Sequence, residues 1–281
     1  MGTIELLIRT HLTLVAAEQG SKLQKVVGYG SGFMMLYRGY RFLVTAAHVN
    51  EPDWSELVTV KDIRNNEVAI VTHLSQEKDG VMKSVYVPIG GFTYINTITV
   101  APDTTDFQAV LENAEKNPDP VDVAVALVED RPGVMQFSND EPDEETENLE
   151  ARSKILIPYE AVVEPDKDDH YFVFGRVKFE PKVDDNGNPY VSSEPMLHPE
   201  MEYYSTINEN VHVFKAIKDV VYEEWAGISG SPVLNPNGYI VGIACSVLPM
   251  TPYMYALDIK TVRSLFDVLI NDKLAEENQQ T

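Results

Sequence analysis

Three short segments carry the residue types that nucleophilic chemistry uses, in the order histidine, carboxylate, hydroxyl. The first is Gly30-Ser31-Gly32-Phe33, followed by Phe42-Leu43-Val44-Thr45-Ala46-Ala47-His48. Here an apolar strand delivers a histidine directly after two alanines, small enough to let backbone and ring pack beneath a cleft. The second is Asp122-Val123-Ala124-Val125-Ala126-Leu127-Val128, a carboxylate at the head of an otherwise apolar strand. The third is Gly227-Ile228-Ser229-Gly230-Ser231-Pro232-Val233-Leu234-Asn235, which leads into Gly238 to Cys245. Taken singly, each has an ordinary explanation: a satisfied structural histidine, a strand cap, a glycine turn. Their joint occurrence, each in this local texture, is what points to a site. None of His11, His73, His170, His198 and His212 sits in a comparable setting.

The elements that must position these residues are mainly strands. Short apolar runs at Gly32 to Tyr37, Tyr40 to Val44, Val68 to His73, Ile95 to Val100, Val123 to Val128, Tyr171 to Val177, Val211 to Phe214 and Tyr239 to Cys245 are rich in valine, isoleucine, tyrosine and phenylalanine. Most are bounded by turn residues. Arg38-Gly39 predicts one hairpin, and Asp185-Asn186-Gly187-Asn188 a second tight turn. From Ile259 to Leu274 the apolar residues recur at helical spacing, with Asp258 placed to cap the first amides. Many short strands followed by one helix predict paired β-barrels closed by that helix.

Length and composition bound the function. At roughly 150 residues per domain, 281 residues make about two units. With 22 basic and 44 acidic residues, the net charge of −22 repels phosphate backbones and anionic headgroups, which argues against nucleic-acid and membrane partners. The single cysteine, Cys245, permits no internal disulfide, and Glu5, Arg9 and His11 interrupt the apolar start that an export signal needs. A cytoplasmic location is the expectation. Seven acids and no base fall between Ser138 and Glu150, a solvated linker by its charge density rather than a calcium site. The expected organisation is a first barrel over 1–128, an acidic linker over 129–152, a second barrel over 153–257, and a terminal helix and tail over 258–281.

Thr45-Ala46-Ala47-His48, Asp122-Val123-Ala124-Val125-Ala126-Leu127 and Gly227-Ile228-Ser229-Gly230-Ser231-Pro232 together resemble the trypsin/chymotrypsin-like serine peptidases. The resemblance is to the disulfide-free bacterial branch of high-temperature-requirement and glutamyl endopeptidase types. It runs from about Gly28 to the terminal helix, with expanded stretches at 50–118 and 130–210, and includes Tyr255-Ala256-Leu257-Asp258-Ile259; no peptide-binding C-terminal domain is expected. It implies two six-stranded antiparallel barrels, with His48 and Asp122 from the first and Ser229 from the second. His48 would be the general base and later the acid, Asp122 its orienting carboxylate, and the amides of Gly227 and Ser229 the oxyanion hole. Neither cofactor nor metal is implied.

The sequence departs from the family pattern at Ile228, in place of a usual polar residue, and at Ser231, in place of a common glycine. Ile228 is expected either to alter the flexibility of the oxyanion turn or to lie buried under a partner. Glu223 takes the position that sets the primary pocket, where a buried carboxylate would favour basic residues at the cleaved position. Cys245-Ser246-Val247 should pair with substrate backbone as an added strand, and Cys245 reads as a small buried residue rather than a reactive thiol. The expected activity is that of an intracellular serine endopeptidase acting on a protein or peptide substrate, with activation by a protein partner as a further expectation. The alternative is a catalytically silent interaction module of the same fold. Esterase chemistry is disfavoured because Pro232-Val233 continues into a strand, whereas a nucleophile elbow enters a helix.

Overall fold

The computed structural model describes residues 2–21, 25–51, 66–73, 84–89, 91–97, 119–128, 154–183 and 189–279. The acidic stretch 138–150, the linker 129–152 and the turn 185–188 lie outside them.

The fold is mainly β, two β units of largely antiparallel strands with a C-terminal helix. A helix that the sequence reading did not anticipate, α1 (Thr3–Thr10), precedes β1 (His11–Ala17). Then come β2 (Val26–Tyr37), β3 (Tyr40–Thr45), the single turn of α2 (Ala47–Asn50), β4 (Glu67–His73), β5 (Ser84–Ile89), β6 (Thr93–Thr97) and β7 (Asp119–Val128). These strands form one sheet in the order β5-β4-β1-β2-β3-β7-β6, and β8 (Ile157–Pro158) pairs in parallel with β2. Where closure into a barrel was expected, the described strands of this unit make a curled open sheet with β5 and β6 at its edges. The second unit does close, through β9 (His170–Val183), β10 (Pro189–Ile207), β11 (Val211–Lys215), β12 (Pro232–Leu234), β13 (Ile240–Val247) and β14 (Tyr253–Asp258), into a six-stranded barrel.

Alternation along the strands explains why their apolar runs are unbroken. In β2, Met34 points into the first unit beside Leu14, Leu43 and Ile70, whereas Phe33 and Met35 point the other way. There they join Phe42, Val44 and Val125 from the first unit and Phe174, Leu234 and Ile243 from the second. Side chains alternate across a strand, so a sheet buried on both faces needs apolar residues at nearly every position. The largest core is therefore the seam between the two units, and the second barrel has its own filling around Tyr171, Phe214, Val241 and Met254.

Two helices fasten this seam. The 3-10 turn Ile259–Val262, whose Lys260 amide is capped by the Asp258 side chain, leads into α3 (Arg263–Gln279). This helix crosses to the first unit, where Phe266 stacks on Phe42 at 4.3 Å and Asp267 pairs with Arg38 at 2.8 Å. In the opposite direction, α1 reaches the second barrel: the Thr3 hydroxyl donates to the Pro236 carbonyl at 2.7 Å, and Leu6 sits over Gly238. The Arg38-Gly39 hairpin forms as expected, with φ of 50° and 83° at its two turn residues.

Candidate active site

Register brings the histidine and the carboxylate together. Strand β3 pairs with β7 so that Thr45 faces Ala124. Two residues further on, β3 has become α2, and Asp122 stands opposite its start. Asp122 lies inside β7 rather than at its head, because that strand begins at Asp119. Its carboxylate meets His48 twice, accepting from the backbone amide at 3.1 Å through Oδ1 and lying 2.8 Å from the ring Nδ1 through Oδ2. Both side chains are about one-third exposed, at 34% and 29%. Ala46 and Ala47 are fully buried, as close packing beneath the ring requires.

The hydroxyl comes from the second unit. After a 3-10 turn at Tyr222–Glu224, the chain tightens through Trp225 to Gly230. The Ile228 amide donates to the Trp225 carbonyl at 3.0 Å, with Gly227 at φ 111° in the third position, the pattern of a type II turn. A Cβ at Gly227 would collide with the Arg176 carbonyl and the Phe179 ring, and one at Gly230 with the Ser31 carbonyl, so both must be glycine. The amides of Ala226, Ile228, Gly230 and Ser231 donate to the carbonyls of Tyr222, Trp225, Ala244 and Ile228. Those of Gly227 and Ser229 have no partner among the described residues. They are the two amides that the sequence reading singled out.

The turn is held from beneath by Ser31 of the first unit. Its amide donates to the Ser229 carbonyl at 2.9 Å and its hydroxyl to the Gly227 carbonyl at 2.6 Å. With that hydroxyl hydrogen committed, the contact of 2.9 Å between Ser31 Oγ and His11 Nε2 places the donor proton on the buried histidine. The sequence alone assigns neither Ser31 nor His11 a role. Nothing in their spacing announces this network, because it depends on two strands meeting across the seam.

His48, Asp122, Gly227 and Ser229 line one cavity of about 670 Å³, together with Glu223, Cys245 and Val247. Ser229 Oγ donates to the Cys245 carbonyl at 3.3 Å, and no hydrogen bond joins it to His48 among the described residues. Glu223 is exposed on the 3-10 turn, so it borders the cavity without being the buried carboxylate that a basic pocket would need. Further inside, the walls are apolar: Trp225, Ile228, Ala244, Val247 and Met254. Ile228 is buried by the chain's own core against Gly175, which resolves that departure without a partner, and Ser231 is buried with its hydroxyl on the Phe174 carbonyl at 2.7 Å.

Two neighbours complete the electrostatics. Burial, reinforced by the charge of Asp122, pushes the Cys245 thiol up to about 12, and its Sγ donates to the Tyr255 carbonyl at 3.2 Å. Behind the turn, His198 stacks on Trp225 at 3.6 Å and donates from Nε2 to the Glu224 carbonyl at 3.0 Å; burial holds its pKa below the ordinary value. Beyond Ala244, β13 pairs on one side only among the described residues: Ser246 and Val247 face Tyr255 and Met254 of β14, while β12 reaches no further than Ile243.

No family model matches the chain, and no curated protein does. Among solved structures, it is similar to the serine endoprotease of Yersinia pestis, with a TM-score of 0.42 and 14% identity over 97% of this chain and 68% of that one. A second, the Rv3671c protease of M. tuberculosis in its active form, gives a TM-score of 0.39 and 15% identity over 93% of this chain and 81% of that one.

Proposed function

We propose that the protein is a serine endopeptidase in which Ser229 is the nucleophile, His48 the general base and acid, and Asp122 the carboxylate that orients the imidazole. The observation that carries this reading is the pair of unpartnered amides at Gly227 and Ser229, bordering the same cavity as the hydrogen-bonded His48 and Asp122. Attack requires Ser229 Oγ to leave the Cys245 carbonyl and turn toward His48. As Oγ bonds to the scissile carbonyl carbon, its proton passes to the imidazole, and Asp122 stabilises the cation that results. The carbonyl oxygen gathers negative charge where the two free amides stand ready, without any reorganisation of the turn. Collapse expels the amine, which takes the proton from His48, and leaves an acyl-Ser229 ester. Water then repeats the sequence and releases the acid. The unpaired edge at Cys245-Ser246-Val247 supports an extended peptide, which would add to it as a strand.

A second reading, a silent interaction module, draws on the direction of the Ser229 hydroxyl, which faces Cys245 instead of His48. A fluorophosphonate probe separates the two. Labelling of Ser229 in the wild type and its absence in Ser229→Ala is the expected result. No labelling under any condition, in a protein that still captures partners, favours the module.

A further inference from the structure

Away from the cavity, His212 is nearly completely buried at 2% exposure, and its Nε2 has no hydrogen-bond partner. A polar atom hidden from water without a partner is costly, and in native structures it calls for an unseen water or ion. The Nδ1 of the same ring lies 2.8 Å from the Thr206 hydroxyl, which fixes the ring's orientation. Facing Nε2 at 3.9 Å is Oδ1 of Asp258, and a carboxylate oxygen of Glu164 completes a set whose atoms all lie within 4.8 Å of one another. When Nδ1 carries the ring proton toward Thr206, the Nε2 lone pair faces the two carboxylates, and Lys260, which donates to both of them, does not donate to it.

We infer that His212, Asp258 and Glu164 form a zinc site. One imidazole nitrogen and two carboxylates are a ligand set that suits this cation, with water in the fourth position. Ligands about 2.1 Å from a tetrahedral zinc stand about 3.4 Å apart, so the set must contract modestly. Glu164 is the ligand free to move, since its side chain is 65% exposed and is held only by an ion pair with Lys260. Asp258 keeps its role as a cap, its Oδ1 accepting from the Lys260 amide at 2.9 Å, and the same oxygen, which faces His212, has a second lone pair for metal. The Thr206 hydroxyl supplies the outer support that metal-bound imidazoles usually have. The three ligands come from β11, from the segment leading into β9, and from the end of β14, so zinc would pin the root of α3 to the barrel. The inference is independent of the peptidase reading.

The test is calorimetric titration of the EDTA-treated full chain with zinc chloride. A His48→Ala background removes the more exposed imidazole-carboxylate pair at the cavity. One zinc per chain is expected, with affinity reduced about tenfold or more in both His212→Gln and Glu164→Gln. Glu164 lies on the surface, so its variant folds even if His212→Gln does not, and circular dichroism verifies this. Cobalt in place of zinc should give the visible absorption of a tetrahedral site in the parent protein, lost in the variants. Absence of binding, or binding that both folded variants retain unchanged, overturns the inference.

Discussion

Ser31 and Gly227 belong to different β units, yet the Ser31 hydroxyl donates to the Gly227 carbonyl at 2.6 Å and so holds one end of the turn on which Ser229 stands. Removing that hydroxyl leaves the Gly227 carbonyl and the His11 ring without it inside the protein. Ser31→Ala should cost about 1–3 kcal/mol of stability, measured by urea denaturation. It should also lower kcat more than it raises KM if the turn receives the developing charge as proposed, because the turn loses its support. An unchanged kcat with lowered stability would reduce Ser31 to a packing residue.

Asp122 makes two contacts with His48, so its replacement by asparagine should leave the site's outline in place while removing the charge that favours the cationic ring. A loss of about 10,000-fold in kcat is the expected scale for a carboxylate in this role. Single-turnover hydrolysis of an activated ester, read against Ser229→Ala, measures it.

Gly227→Ala forces a side chain into the Arg176 carbonyl and the Phe179 ring from a backbone conformation that alanine resists. The turn must shift, and with it one of the two free amides. Activity should fall by about 100- to 1000-fold, the cost typical of losing one such donor. Fluorophosphonate labelling should slow in parallel, while circular dichroism keeps its β signature.

Cys245 should resist alkylation. With its thiol raised to about 12, the thiolate fraction at neutral pH is negligible, so iodoacetamide should add no mass to the folded protein within hours and one adduct after denaturation. Rapid modification of the native chain would contradict the half-buried, hydrogen-bonded setting.

His198 gives stability a pH dependence whose sign follows from burial. Its folded pKa lies below the ordinary 6.5 that applies once the chain unfolds, so between those two values the unfolded chain binds more protons. Stability is complete above about pH 6.5 and declines as pH falls below it. His212, shifted in the same direction, adds to the effect. Urea midpoints between pH 7.5 and 5 should fall, and should fall less steeply in His198→Gln.

Much of this site could be read before any coordinates, because its key residues sit in motifs whose local chemistry is distinctive. The alanine pair before His48, the apolar strand after Asp122 and the glycines around Ser229 are each demanded by close packing or a positive φ, and such demands show in a sequence. The role of Ser31 is not legible because its partners at Gly227 and Ser229 lie on the other side of the seam, and that of His11 because it acts through Ser31, at separations no pattern encodes. The helix α1 was missed since residues 3–17 change from helix to strand at His11 without a breaker between them. The pocket reading at Glu223 rested on position alone, and the 3-10 turn leaves that carboxylate in solvent while apolar side chains fill the interior.

The exchange of helices across the seam has one more consequence. His48 and Asp122 stand on one β unit and Ser229 on the other, so under the proposed mechanism a slip of an ångström between the units would widen the gap that the proton has to cross. With α1 gripping the barrel and α3 gripping the sheet, each unit carries a strut rooted in its neighbour. Prying the crevice open would mean tearing two helices from their seats, so reactivity and global unfolding resistance should rise and fall together.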